Sequence, residues 1–366
     1  MKIRLHEPTF GEEEIQAVVD VLRSGNVTSG NRVRELESHF GKHAVMVNSG
    51  SSANLLAVAM LCNPAYPNHL KPGDEVIVSA LSWSTTVWPW VQYGIVPVIV
   101  DIDPDTLNID VMAVAKAITG KTRAIMPVHV YGNPCDTVSL KVLSQDHDLF
   151  LVEDCCESLG MNSVQRGVLA TYSFYFSHHI TTLEGGMVVA SNEEQEDLLK
   201  VLRAHGWTRE MKNPPKYEGI DPRFLFINAG YNLRASEVNA AMGLVQIKKL
   251  ADFVSNRRKT AGQLKEIFKP YPVRTQEDCG SSWFGFPLVA KDGLRQHFEE
   301  CGIETRPVIC GNIARQPGMK LWEHRVSGEL KHADEVMQHG FAIPCHQGMT
   351  DDDCEHIKNS LGSYYD

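Results

Sequence analysis

In SFYFSHHITTLEGG, residues 173–186, two adjacent imidazoles stand between a serine and a Glu-Gly-Gly. An imidazole gains and loses a proton near neutral pH, so His178 is a candidate acid or base. As metal ligands, His178 and His179 suit each other poorly. Adjacent residues on an extended turn point apart, and no acidic third ligand is evident, so no metal is expected. Tyr172 to Phe176 reads as a buried strand and the residues after it as a polar turn. The two glycines after Glu184 let backbone approach backbone closely.

Other segments carry types suited to ligands, each with an ordinary alternative. Asn48-Ser49-Gly50-Ser51-Ser52 lies between a strand and a helix, where free N–H groups and the helix dipole attract phosphate. A plain N-cap looks the same. Asp154 ends the apolar run LFLVED. Carboxylates at such strand ends face the ligand crevice of an α/β sheet, or cap the next helix. Trp83 follows the strand DEVIVSAL; a lone tryptophan usually packs in a core. Arg306 and Arg315 lie in ETRPVICGNIARQP, and their guanidinium forks suit a carboxylate or a diphosphate, or plain surface salt bridges. Asn232 closes a loop, and Ser236 helps to start a long helix.

The elements that must place these groups alternate. Residues 11–24 and 31–40 have helical periodicity around the turn GNVTSGN. AVMVNSG ends a strand and SSANLLAVAML starts a helix. Runs at 74–82, 96–103, 123–132 and 149–158 are short and apolar, and helical stretches near 107–118 and 138–147 separate some of them. Such runs suit parallel strands buried on both faces, so the fold class is α/β with helices on both sides of a mostly parallel sheet. Residues 234–268 read as one long helix. Beyond it come a strand-like SSWFGFPLVA and a helix from about Leu294 to Cys301. A large domain over 1–245 and a small C-terminal α+β domain over 246–366 are expected, with N-terminal residues able to pack on the small one.

Composition narrows the classes. The chain has 366 residues, a formal net charge of -10 and 43% hydrophobic residues. That argues against a nucleic-acid or anionic-membrane partner, while a local basic pocket remains allowed. The nine cysteines show no C-x-x-C spacing, which favours free thiols in a reducing, cytoplasmic compartment. MKIRLHEPTF has no apolar core of a signal peptide, and the apolar run Val87–Val100 is too short to span a bilayer.

Taken together, these segments resemble the pyridoxal-phosphate (PLP) sugar aminotransferases of the DegT/StrS family over roughly residues 5–350. The resemblance implies a fold-type I, aspartate aminotransferase-like architecture. It also implies roles for single residues. Gly50 and Ser51 would hold the cofactor phosphate through their backbone, with Ser173 beside it. Trp83 would stack on the pyridine ring, Asp154 would meet the ring nitrogen and Glu157 would lie near the ring hydroxyl. GYNLRASE, residues 230–237, resembles the segment whose asparagine, here Asn232, reaches the neighbouring subunit's cofactor. That implies a homodimer with shared sites. His205, in LRAHGW, matches a family His-Gly near the substrate.

One position departs from the family. Its cofactor lysine lies five residues after the serine and six before the glutamate, and here that place is His178. No lysine stands between Lys141 and Lys200. An imidazole has no primary amine, so the cofactor would be held non-covalently. The change is similar to that in the nucleotide-sugar 3-dehydratase branch, as is the T-R-x-x-x-x-G-N-x-x-R-Q-P pattern from Thr305 to Pro317. The resemblance implies dehydration at C3 of a nucleotide-linked 4-keto-6-deoxyhexose, for a cell-surface polysaccharide. His178 would be the catalytic base, pyridoxamine phosphate (PMP) the working form, and glutamate the amino donor. Arg306 and Arg315 would bind the donor carboxylate or the sugar diphosphate. A sugar aminotransferase tolerating histidine and a non-catalytic PLP-binding regulator are the alternatives.

Overall fold

A computed structural model describes residues 2–163, 165–290 and 293–366. Two amphipathic helices, α1 (Glu12–Ser24) and α2 (Asn31–Phe40), lead into β1 (Ala44–Val47) and the almost wholly buried α3 (Gly50–Leu61). There follow β2 (Glu75–Ser79), α4 (Ser84–Gln92), β3 (Val96–Val100), α5 (Val111–Ala117), β4 (Thr122–Met126), α6 (Thr137–Asp146) and β5 (Phe150–Asp154). β6 (Leu169–Ser173), β7 (Gly186–Ala190) and α7 (Glu193–Arg203) complete this part. The strands are short and apolar because helices cover both faces of the sheet.

The 32-residue α8 (Glu237–Phe268) starts at Ser236, whose hydroxyl accepts from the Asn239 amide in a capping box. Beyond it lie β8 (Arg274–Thr275), β9 (Phe286–Val289), α9 (Leu294–Glu300), β10 (Arg306–Pro307), β11 (Arg325–Val326), α10 (Lys331–His339), β12 (Gly340–Ile343) and α11 (Asp351–Tyr365).

The large sheet has the order β1-β7-β6-β5-β4-β2-β3-β11. β7 runs antiparallel to both its neighbours and every other pair is parallel. The small sheet, β10-β12-β9-β8, is antiparallel. The chain crosses between the two. Ile3 bridges to Ile303 and packs in the apolar cluster of the small sheet, while β11 extends the edge of the large one.

One reading of the sequence needs correction. The strand expected over Tyr172–Phe176 ends at Ser173. Phe174 still bonds to Gly185 and Thr182, but from Tyr175 the chain turns out to the crevice. The run Val87–Val100 is part helix: α4 carries Pro89 inside it and buries Val87 and Trp90. Proline removes one helical hydrogen bond there, and burial of the indole outweighs that loss. No helix among the described residues is long and apolar enough to cross a membrane.

Candidate active site

The carboxyl ends of β2, β5 and β6 converge with the start of α3 on one crevice, as expected for a parallel sheet. A cavity of about 370 Å³ opens there. Gly50, Ser51, Trp83, Asp154, Glu157, Ser173, His178 and Arg306 all line it.

The start of α3 is shaped for an anion. Ser49 caps the helix by accepting from the Ser52 amide at 3.0 Å. The N–H groups of Gly50 and Ser51 find no acceptor among the described residues. Glycine is required by space: a Cβ on Gly50 would lie 2.5 Å from Cβ of Ser173 and 3.2 Å from Sγ of Cys156. A Cβ on Gly186 would lie 2.4 Å from the Ser49 carbonyl oxygen, so the Glu-Gly-Gly lets β7 close against the same turn.

Asp154 is buried and fully engaged. Its Oδ2 accepts from Thr86 Oγ1 at 2.7 Å and from Asn54 Nδ2 at 3.0 Å, and its Oδ1 from the Cys156 amide at 3.1 Å. Thr171 Oγ1 donates in turn to Asn54 at 2.6 Å. These hydrogen bonds fix the direction of the carboxylate. Trp83 is 51% exposed at the mouth of α4, so its indole is a wall of the cavity rather than part of the core.

Glu157 accepts from the Tyr131 amide at 3.0 Å. Burial pushes its carboxyl up to about 7, against the pull of Arg306. Arg306 comes from β10, across from the large sheet, and its guanidinium lies 5.8 Å from the ring centre of Phe284.

His178 closes a turn, its amide donating to the Tyr175 carbonyl at 2.9 Å. Its ring lies 4.9 Å from that of Phe284. Nδ1 is buried with no partner, while Nε2 is left to the cavity. Burial, then the charges of Arg306 and Arg257, push the imidazole down to about 3, so it is neutral at pH 7. Among the described residues, no lysine lines the cavity.

Three predicted residues lie elsewhere. Asn232 lines a second depression of about 510 Å³ with Arg34, Arg209 and Arg234. Arg234 donates to its Oδ1 at 3.2 Å and lies 3.3 Å from Nε2 of His205, which is exposed. Arg315 forms a two-point ion pair with Asp334 at 2.7 and 2.9 Å on an exposed face. Sequence reasoning missed Asn54, Thr86 and Phe284. Asn54 had a signal: it stands four residues after Gly50, on the same face of α3.

A buried trio, His129, Glu153 and Cys155, brings metal-type donors within 4.8 Å of one another. Its lone pairs are already used. His129 Nδ1 accepts from the Cys135 amide, Nε2 faces Glu153 at 3.1 Å, and Glu153 Oε1 accepts two backbone amides. The main cavity has a different character: free N–H groups for a phosphate, an open indole face for a flat ring, and a fixed carboxylate for a ring nitrogen.

The sequence is 40% identical over 381 residues to a GDP-4-keto-6-deoxy-D-mannose 3-dehydratase of Yersinia pseudotuberculosis, covering 97% of this chain and 96% of that one. The structure is similar to a GDP-4-keto-6-deoxymannose-3-dehydratase with a trapped PLP-glutamate geminal diamine, with a TM-score of 0.94 at 36% identity over 98% of this chain and 100% of that one. It is also similar to a mutant of such an enzyme with bound GDP-perosamine, with a TM-score of 0.92 at 36% identity over 98% and 99%. The model of the DegT/DnrJ/EryC1/StrS aminotransferase family matches residues 8–362, and the chain belongs to that family.

Proposed function

We propose that this protein is a PLP- and PMP-dependent sugar 3-dehydratase. It acts on a nucleotide-linked 4-keto-6-deoxyhexose, with GDP-4-keto-6-deoxymannose the first substrate to try and glutamate the amino donor. The observation that carries this reading is His178 in a cavity that no lysine among the described residues lines. Gly50, Ser51, Trp83, Asp154, Glu157 and Ser173 line the same cavity, which supports the reading.

When bound, the cofactor supplies an amine for the sugar's C4 ketone and a conjugated ring that takes up electrons. The chain's residues do the rest. The amides of Gly50 and Ser51 and the hydroxyl of Ser173 hold the phosphate. Trp83 covers one ring face, Asp154 keeps the ring nitrogen protonated and Glu157 sits by the ring hydroxyl. Without a covalent tether, binding rests on non-covalent contacts such as these. His178 accepts a proton at Nε2 and delivers it to the C3 hydroxyl, which departs as water. A lysine there would recapture the cofactor and release an amino sugar; an imidazole leaves time for elimination. Arg306 faces the cavity to meet a carboxylate or diphosphate. Burial chiefly holds the His178 pKa down, and anionic ligands would offset the guanidinium charges that add to it.

Asn232, with His205 and Arg315, lies outside the cavity. The proposed role of Asn232 is in the neighbouring subunit's site of a homodimer. The working division is a large unit over 1–245 and a small one over 246–366, in a cytoplasmic enzyme of deoxysugar synthesis.

Borohydride reduction with PLP tests the absent tether. The native chain is expected to keep its mass and release PLP on dialysis, and His178→Lys to gain the mass of reduced, attached cofactor. Covalent PLP on the native chain would overturn the reading.

A further inference from the structure

Ahead of β9, four successive backbone carbonyls are each engaged by a side chain rich in N–H. Ser281 O accepts from Arg258 Nε at 2.9 Å, and Trp283 O and Phe284 O accept from Arg257 Nη1 at 2.9 and 3.1 Å. Ser282 O lies 3.1 Å from Nε2 of His179, the residue next to His178. A carbonyl can only accept, so that nitrogen carries the proton and His179 donates. The amides are held too, Ser282 N by Gly132 O and Phe284 N by Tyr131 O. Arg257 is buried and pairs with no carboxylate among the described residues. Its third bond is to the Cys345 carbonyl, 3.1 Å away. Trp283 sits at φ 54°, a left-handed conformation unusual for a bulky residue. Such a backbone persists only where its surroundings over-determine it, and here they do.

What this clamped segment presents to the cavity is the ring of Phe284. The ring touches both groups assigned to chemistry and substrate: His178 at 4.9 Å and Arg306 at 5.8 Å. Tyr131 packs against it at 5.9 Å. A tilted aromatic pair restricts the imidazole, and a guanidinium near the ring is held by its quadrupole. We propose, resting on the dehydratase reading above, that Phe284 is a positioning residue for the reaction. One ring, on a backbone clamped by His179, Arg257 and Arg258, sets the imidazole of His178 and the guanidinium of Arg306 relative to each other. In a site with no covalent tether, the base must be aligned by packing.

The surroundings of His178 set the readout. Tyr175 and His179 flank it on its own turn, Arg306 faces it from β10, and Arg257 lies behind it on α8. Asp154, Glu157 and Glu184 line the same cavity. Loss of the aromatic wall admits water, which favours the protonated imidazole, so the His178 titration moves up.

The test uses Phe284→Leu and Phe284→Tyr in the full chain. Measurements are the thermal midpoint, PLP affinity, the His178 titration by NMR of 13C-histidine protein (assigned with His178→Asn), and kcat and KM. For Phe284→Leu, PLP affinity stays within about threefold, His178 titrates at least about one pH unit higher, and kcat falls about tenfold. Phe284→Tyr restores the native titration. A Phe284→Leu protein with native titration and kcat, whatever its midpoint, would overturn the proposal and leave Phe284 a packing residue. Should Phe284→Leu not fold, Arg258→Gln, which frees the Ser281 carbonyl without touching the cavity, must raise the titration; no rise overturns the proposal. A native enzyme that leaves the sugar unchanged would overturn the dehydratase reading alone, since the titration is read without substrate.

Discussion

Thr86 donates its hydroxyl to the carboxylate of Asp154 at 2.7 Å, from the third residue of α4 to the end of β5. The bond is buried, and Asn54 shares the same oxygen. Thr86→Val keeps the shape and removes the donor. A lost hydrogen bond to a buried charge costs about 1.5–3 kcal/mol, and a carboxylate free to turn meets the ring nitrogen less often. A lower thermal midpoint and PLP binding weaker by about tenfold are expected, read by calorimetry and by absorbance titration. Unchanged affinity would show that Asp154 needs no such support.

Gly50 and Ser173 meet more closely than a side chain permits. In Gly50→Ala the new Cβ would lie 2.5 Å from Cβ of Ser173, so the first turn of α3 must shift. Overpacking of this kind costs about 1–3 kcal/mol and moves the free amides off the phosphate. PLP affinity should fall by tenfold or more, and inorganic phosphate should compete less well with the cofactor. Gly262→Ala, in α8 with open space around its Cβ, serves as the control and should bind PLP as the native chain does.

The neutral imidazole of His178 makes stability depend on pH. Its folded pKa is pushed down to about 3, below its ordinary value, so the unfolded chain binds the proton first. The stability this provides is full above about pH 6.5 and is lost progressively as pH falls toward 3. His346, pushed down to about 4 by burial, acts in the same direction. His178→Asn, which has nothing to protonate, should lose less stability between pH 7 and pH 5 than the native chain. Chemical denaturation at the two pH values measures this, and equal losses would contradict the burial of His178.

Glu157 behaves with the opposite sign. Its folded pKa is raised to about 7, chiefly by burial, so the folded chain holds the proton more tightly than the unfolded one. Stability from this group is present below the ordinary glutamate pKa and is lost as pH rises toward 7. Glu157→Gln, neutral at every pH, should therefore gain on the native protein between pH 5 and pH 8. Thermal midpoints of the cofactor-free proteins give the comparison, and a gain at pH 5 alone would be the wrong sign.

Much of this was legible before any coordinates. Asp154 and Ser173 sit at the ends of strands whose apolar runs and turn residues announce them, and α8 announces itself through Ser236 and the long helical stretch after it. The support of Asp154 was not legible. Asn54 and Thr86 are 100 and 68 residues away in sequence and are ordinary polar residues until the sheet brings them to one carboxylate. Pro89 hid α4, because a proline reads as a breaker while its helix is stabilised by what it buries. Nor did chain order show that β11 joins the large sheet, since that depends on long-range pairing. Phe284 was read as part of a strand; that it faces His178 follows from the left-handed turn at Trp283, which no periodicity contains.

The most direct test of the proposed chemistry is the product formed by purified protein with PLP, excess glutamate and GDP-4-keto-6-deoxymannose, read by mass spectrometry beside an ammonia assay. The expected product has lost one oxygen and carries no nitrogen on the sugar, with ammonia in solution. An amine on the sugar would contradict it and make the protein an aminotransferase in which His178 has no part in elimination.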